Sequence, residues 1–104
     1  MTHYRDERLE SAIHTAAAEF INRESNRRSL ITVMRVTLDA RNKHAQIFVS
    51  VLPREGAGAA LDFLSRQGTA FSAYLKKHLK TRVLPHVEFL ADPEMGSMSD
   101  SRNM

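Results

Sequence analysis

Apolar positions recur at helical spacing through the first fifth of the chain. Leu9, Ile13, Ala16, Ala17, Phe20 and Ile21 form one stripe, which predicts an amphipathic helix over Tyr4 to Arg23. Asp6, Glu7 and Glu10 lie near its start, where carboxylates favour the positive end of the helix dipole. They read as helix-end electrostatics rather than a catalytic acid pair. The polar run from Arg23 to Ser29 breaks the stripe and reads as a loop. From Leu30 to Ala40 the period changes to two, with the β-branched residues Ile31, Thr32, Val33, Val36 and Thr37. The alternation switches parity between Val33 and Val36, and a bulge near Met34-Arg35 accounts for the switch. His44 to Leu52 alternates cleanly. Ala45, Ile47, Val49 and Val51 take one face, and Gln46, Phe48 and Ser50 the other. The short polar turn Asp39 to Lys43 makes the two strands an antiparallel hairpin, and Pro53 ends it. Phe48 stands on the second face, where it is either packed or exposed.

Two more helical patterns follow. Ala57, Ala60, Leu61 and Leu64 place a helix over Ala57 to Gln67. Phe71, Tyr74, Leu75, His78 and Leu79 place another over Ala70 to Lys80. Between them stands Gly68-Thr69. Glycine takes a left-handed C-terminal conformation without a Cβ clash, and threonine can cap the next helix through its hydroxyl. The junction therefore reads as a sharp kink. Thr81 to Pro85 is extended before proline, and Val87 to Ala91 is a short third strand. The order is α-β-β-α-kink-α-β. Three apolar helix stripes cover one face of a three-stranded sheet, an α+β plan whose other sheet face stays open. Residues 1–91 are expected to form one domain. Residues 92–104, rich in Ser and Met and without periodicity, are expected to form a mobile tail.

Composition narrows the options. At 104 residues, 42% hydrophobic and 26% charged, the chain suits one soluble domain with its own core. The absence of cysteine removes disulfides, iron–sulfur clusters and cysteine zinc sites, and fits a reducing cytoplasm. No run is long and apolar enough to span a membrane, and the first residues lack a signal-peptide pattern. The net charge of +3 is modest, but its distribution is not even. Acids outnumber bases up to Glu24. From Ser25 to Ala91 there are eleven Lys or Arg against four Asp or Glu, an excess that draws polyanions.

Candidate chemistry is sparse elsewhere. Gly56-Ala57-Gly58 follows a strand and opens a helix, but the third glycine of a dinucleotide fingerprint is missing, so it reads as a turn. His3, His14, His44, His78 and His86 show no helical metal-ligand spacing. His78 reads as a histidine at the core edge. No serine or threonine comes with a histidine and an acid at catalytic spacing, so no enzyme, metal or cofactor is expected. The junction stands apart. From Phe63 to Val87 the chain carries Arg66, Lys76, Lys77, Lys80 and Arg82 and no acid. A helix start there offers amides and a positive dipole end to a phosphate. Bases near a helix C-terminus also complement its dipole, which by itself would explain Lys77 and Lys80. The coincidence of kink and acid-free flank points to RNA, with Arg66, Gly68, Thr69, Lys76, Lys77, Lys80 and Arg82 as the binding set.

The chain resembles bacterial ribosome-binding factor A over nearly its whole length, from about Arg8 to Ala91. The residues that carry the likeness are Val36-Thr37-Leu38, the strand Ala45 to Leu52, the helix–kink–helix, and Arg82-Val83-Leu84-Pro85-His86-Val87-Glu88-Phe89. The resemblance implies a KH-like fold of the second type, in which an alanine-x-glycine kink replaces the usual Gly-x-x-Gly loop. Here the aligned triplet is Gln67-Gly68-Thr69, with glycine one position early and no alanine. Arg41 stands where the family often has an acid. The resemblance further implies a non-enzymatic cytoplasmic factor, expected as a monomer. It would bind the immature small (30S) ribosomal subunit and its 16S rRNA, promote late maturation including 5′-end processing, and matter for growth in the cold. Two other readings of the residues remain: a general single-stranded RNA-binding KH module, and a protein-interaction domain that uses the open sheet face with Phe48 as anchor.

Overall fold

The computed structural model describes residues 7–25, 29–79 and 84–93. The elements are α1 (Glu7–Glu24), β1 (Leu30–Leu38), β2 (His44–Leu52), a single 3-10 turn (Arg54–Gly56), α2 (Ala57–Arg66), α3 (Gly68–His78) and β3 (His86–Ala91). The sheet order is β1-β2-β3. β1 pairs antiparallel with β2, and β3 pairs parallel with β2. The parallel pair needs a crossover, which α2 and α3 supply. This is the α+β, KH-like type II architecture, with all three helices on one sheet face.

Each element follows from its pattern. In α1 the stripe buries Ile13, Ala16, Ala17, Phe20 and Ile21, with Glu7 and Glu10 in the first turn. In β1 the pairing skips from Val33↔Val49 to Arg35↔Phe48, so Met34 is the extra, unpaired residue of a bulge. The skip returns Val36 to the helix side, where Val33 and Val36 are both buried. β1 ends at Leu38, two residues before the limit read from sequence. β2 is the central strand, and its inward set Ala45, Ile47, Val49 and Val51 is buried. Gly56 lies where a Cβ would come within 2.9 Å of the Ser29 hydroxyl oxygen, so the missing side chain lets the β1 entry pass close to the start of α2.

Aromatic side chains tie the helices to the sheet. The Phe71 ring, fully buried, lies 5.1 Å from the Phe20 ring of α1 and 5.5 Å from the Phe89 ring of β3, tilted to both. Burial of one phenylalanine contributes about 1.5–3 kcal/mol, and each tilted ring pair about 0.5–1.5 kcal/mol more. Phe71 therefore joins three elements. At the other end of β3, Asp92 is buried and its N–H donates to the Val49 carbonyl at 2.8 Å. The packed part thus extends to Asp92, one residue past the strand end read from sequence. Residues 94–104 of the expected tail lie outside the described residues.

The open sheet face is mostly polar. Thr32, Arg35 and Thr37 of β1 stand opposite Ser50, Phe48 and Gln46 of β2. The Arg35 guanidinium sits 4.4 Å from the centre of the Phe48 ring. Phe48 is consequently half-covered from within, by its own cross-strand neighbour. Apolar exposure on this face lies at the far end, where Leu30 and Leu52 pair across the strands at 63% and 60% exposure.

Candidate nucleic-acid interface

The junction between α2 and α3 is one residue long. Gln67, at φ −90° and ψ 8°, separates the helices. Its N–H donates to the Leu64 carbonyl at 3.0 Å, and its carbonyl accepts from the Phe71 N–H at 2.8 Å. Those dihedrals lie in the bridge region open to any residue, so the break needs no glycine. Gly68 instead begins α3, and no glycine among the described residues has a positive φ. Thr69 falls inside the first turn of α3, and the N-cap Gln67 makes no side-chain capping bond. The left-handed Gly68 and capping Thr69 expected from sequence are therefore both corrected. The chain breaks one residue earlier, by a 3-10-like turn on Gln67, and resumes the helix at once.

The candidate residues that are described form two groups, one at the α2–α3 junction and one in the last turn of α3. Arg66, Gly68 and Thr69 are exposed at the junction, and Lys76 and Lys77 are exposed in the last turn. A rise of 1.5 Å per residue separates Gly68 from Lys76 by about 12 Å. At 100° per residue, Thr69 and Lys76 point within about 20° of the same direction. Between them lie Ser72 and Ala73, both exposed. The outward side of α3 is thus a smooth strip of small side chains, with hydroxyls and junction amides at one end and two ammonium groups at the other. Phe71 and Leu75 anchor the opposite side in the core. Ser72 and Ala73 lie outside the binding set read from sequence, although their small size at that spacing is readable there. α3 ends at His78. Lys80 and Arg82 lie outside the described residues.

Two further corrections concern the aromatic side of α3. His78 is exposed rather than lodged at the core edge. Its Nδ1 lies 2.9 Å from the Tyr74 carbonyl oxygen, and its ring stacks on Tyr74 at 4.2 Å between centres. Tyr74, which the apolar stripe of this helix would set against the sheet, is only half-buried. Its hydroxyl donates to Glu19 at 3.1 Å, and Arg23 sits 5.0 Å from its ring centre. Burial, first, and the Glu19 carboxylate, second, raise the Tyr74 phenol above its ordinary range, so it stays a donor.

The hairpin turn is a weaker place for an anion. The Asp39 carboxylate pairs with the His44 ring at 3.0 Å and accepts from the Lys43 and His44 amides at 2.7 and 3.2 Å. The His44 bond, with help from those amides, lowers Asp39 from 3.8 to about 2. A fixed negative charge therefore sits beside Arg41 and Lys43, whereas the strip on α3 carries none. Among the described residues, no group of three or more His, Asp or Glu is placed to hold a metal ion. No described helix is long and apolar enough to cross a membrane.

Comparison with known proteins places this arrangement in a family. The sequence model described as ribosome-binding factor A matches residues 5–103. A ribosome-binding factor A from Thermomicrobium roseum is 32% identical over 95 residues, covering 88% of this chain and 74% of that protein. The crystal structure of ribosome-binding factor A from Thermus thermophilus superposes with a TM-score of 0.74 at 31% identity, covering 82% of this chain and 92% of that one. A homology model of the Thermus thermophilus protein, fitted into the cryo-electron microscopy map of a complex of the 30S subunit with ribosome-binding factor A, gives a TM-score of 0.71 at 32% identity, with 83% of this chain and 93% of that one covered. The extent of the match, the shared architecture and the identity agree, and the chain belongs to the ribosome-binding factor A family.

Proposed function

We propose that this chain binds the immature small ribosomal subunit through its 16S rRNA. In this reading it promotes late maturation, including processing at the RNA's 5′ end, and leaves before translation. It acts in the cytoplasm as a monomer, without catalysis, cofactor or metal. The observation that carries the reading is the acid-free outward side of α3, with the Gln67 junction at one end and Lys76 and Lys77 at the other. The junction amides face a phosphate, the small strip lets the sugar-phosphate chain approach, and the lysines neutralise it further along. Such contacts supply affinity, and the shape of the folded RNA supplies selectivity. Family membership and the 30S complex of the Thermus relative support the choice of partner.

The test is sedimentation of cell extract. The protein should travel with free small subunits and not with translating ribosomes. Changing Lys76, Lys77 and Lys80 together to glutamine should remove it from the small-subunit peak. With purified components, the same change should flatten the plot of log binding constant against log salt, by about 0.7–0.9 in slope for each phosphate no longer neutralised. Unaltered co-sedimentation of this variant would rule out the α3 surface. The rival reading, a protein-interaction domain anchored on Phe48, is weakened by the Arg35 guanidinium that already covers that ring.

A further inference from the structure

The strip on α3 binds backbone, and backbone contacts carry no sequence information. At 100° per residue His78 points about 180° away from Thr69, and on that far side of α3, toward α1, the structure holds a second feature that could read a base. α1 and the end of α3 border a shallow, open hollow of about 510 Å³. Its apolar lining comes from Ala12 and Ala16 of α1 and from Leu79. Ser11, Thr15 and Glu19 add hydroxyls and a carboxylate, and Arg8 stands at one margin. His78 forms the wall on the α3 side, one residue after Lys77.

The His78 ring is held in place rather than free. Its Nδ1 lies 2.9 Å from the Tyr74 carbonyl oxygen, which can only accept, so Nδ1 carries the proton and donates. The ring is stacked on Tyr74 with 27° between planes. Tyr74 is fixed in turn by its hydroxyl bond to Glu19 and by ring contact with Phe20 at 5.4 Å. The result is a pre-positioned aromatic platform, built upward from the core and exposed at its outer ring. A base adding to that stack would rest on an ordered surface and lose little to rearrangement.

We propose that this hollow takes one unstacked nucleobase of a single-stranded RNA segment, with His78 as the stacking surface. Ser11, Thr15 and Glu19 offer hydrogen bonds to its edge, and Arg8, at the margin of the hollow, meets a flanking phosphate. The inference rests on the RNA reading above and adds to it a base contact at the α1–α3 seam. Stacking on an aromatic ring tolerates any base, and the hydroxyls and carboxylate then favour one with an exocyclic amino donor.

The test compares oligoadenylate with an abasic ribose-phosphate strand of equal length, each binding the whole protein at fixed salt. The wild-type protein should hold oligoadenylate about tenfold more tightly, as expected for one stacked base. His78→Ala should close that gap, and His78→Phe, which keeps a ring, should restore most of it. Equal binding of the two strands by the wild-type protein overturns the base site. So does a gap that survives in His78→Ala. In either case a loss of binding to both strands in Lys77→Gln leaves the backbone reading standing. Failure to hold either strand at any salt overturns the base site and speaks against the single-stranded backbone contact as well.

Discussion

Gly68 shows how a residue preference can point to the right place for the wrong reason. Glycine marks helix ends because it alone takes positive φ without cost. Here it stands in the first turn of α3 with an ordinary backbone, and a Cβ built on it meets nothing within 4 Å. The interruption is borne by Gln67, whose dihedrals any residue adopts. Gly68→Ala is therefore expected to stabilise the protein by about 0.5–1 kcal/mol, through helix propensity and a less flexible unfolded chain. Thermal unfolding reads this directly, as a rise of several degrees for a domain of this size. A fall in the midpoint would mean that Gly68 needs a backbone conformation alanine cannot take. His78 makes a similar point. Helical spacing placed it beside the packed stripe, and it is beside the stripe, but stacking on Tyr74 holds its ring outside the core.

At the scale of elements, the legible parts were those where period decides. The β1 bulge could be read from the parity change because Ile31 and Val33 must share a face with Val36 and Leu38. The bounds of β2 followed from strict alternation between a polar turn and a proline. Helix ends were less legible. The break at Gln67 depends on backbone dihedrals that no residue type there dictates, and α3 starts and stops two residues earlier than its side chains imply. The bulge also yields a prediction. Removing Met34 leaves Val33 opposite Val49 and Arg35 opposite Phe48 as consecutive pairs, with every inward residue still inward. The deletion should therefore keep a cooperative melt, whereas deletion of Thr37 would turn Leu38 to the open face. Loss of cooperative unfolding on removing Met34 would show instead that α1 requires the bend the bulge gives to β1.

For the whole molecule, sequence supplies the sum of charge and its order along the chain, and the fold decides which charges share a side. Arg41 and Lys43 stand beside the fixed charge of Asp39 in the hairpin, and Arg35 is laid over Phe48. What remains near the junction is Arg66 at the end of α2, and, about 12 Å along α3 from Gly68, Lys76 and Lys77. A single RNA chain lying along α3 from the junction touches both. Single substitutions at the two ends are then independent, because sites further apart than about 7–10 Å with no shared partner add within about 0.3–0.5 kcal/mol. Arg66→Gln and Lys77→Gln should each weaken binding to purified small subunits, and the double variant should be weakened by the sum of the two free energies. The salt slope should fall in the same two steps, about 0.7–0.9 for each phosphate released. If the double variant binds no more weakly than the worse single one, only one end of α3 meets RNA, and the path drawn along the helix is broken. Additive free energies with an unchanged slope would instead assign both residues to protein or base contacts rather than to phosphate.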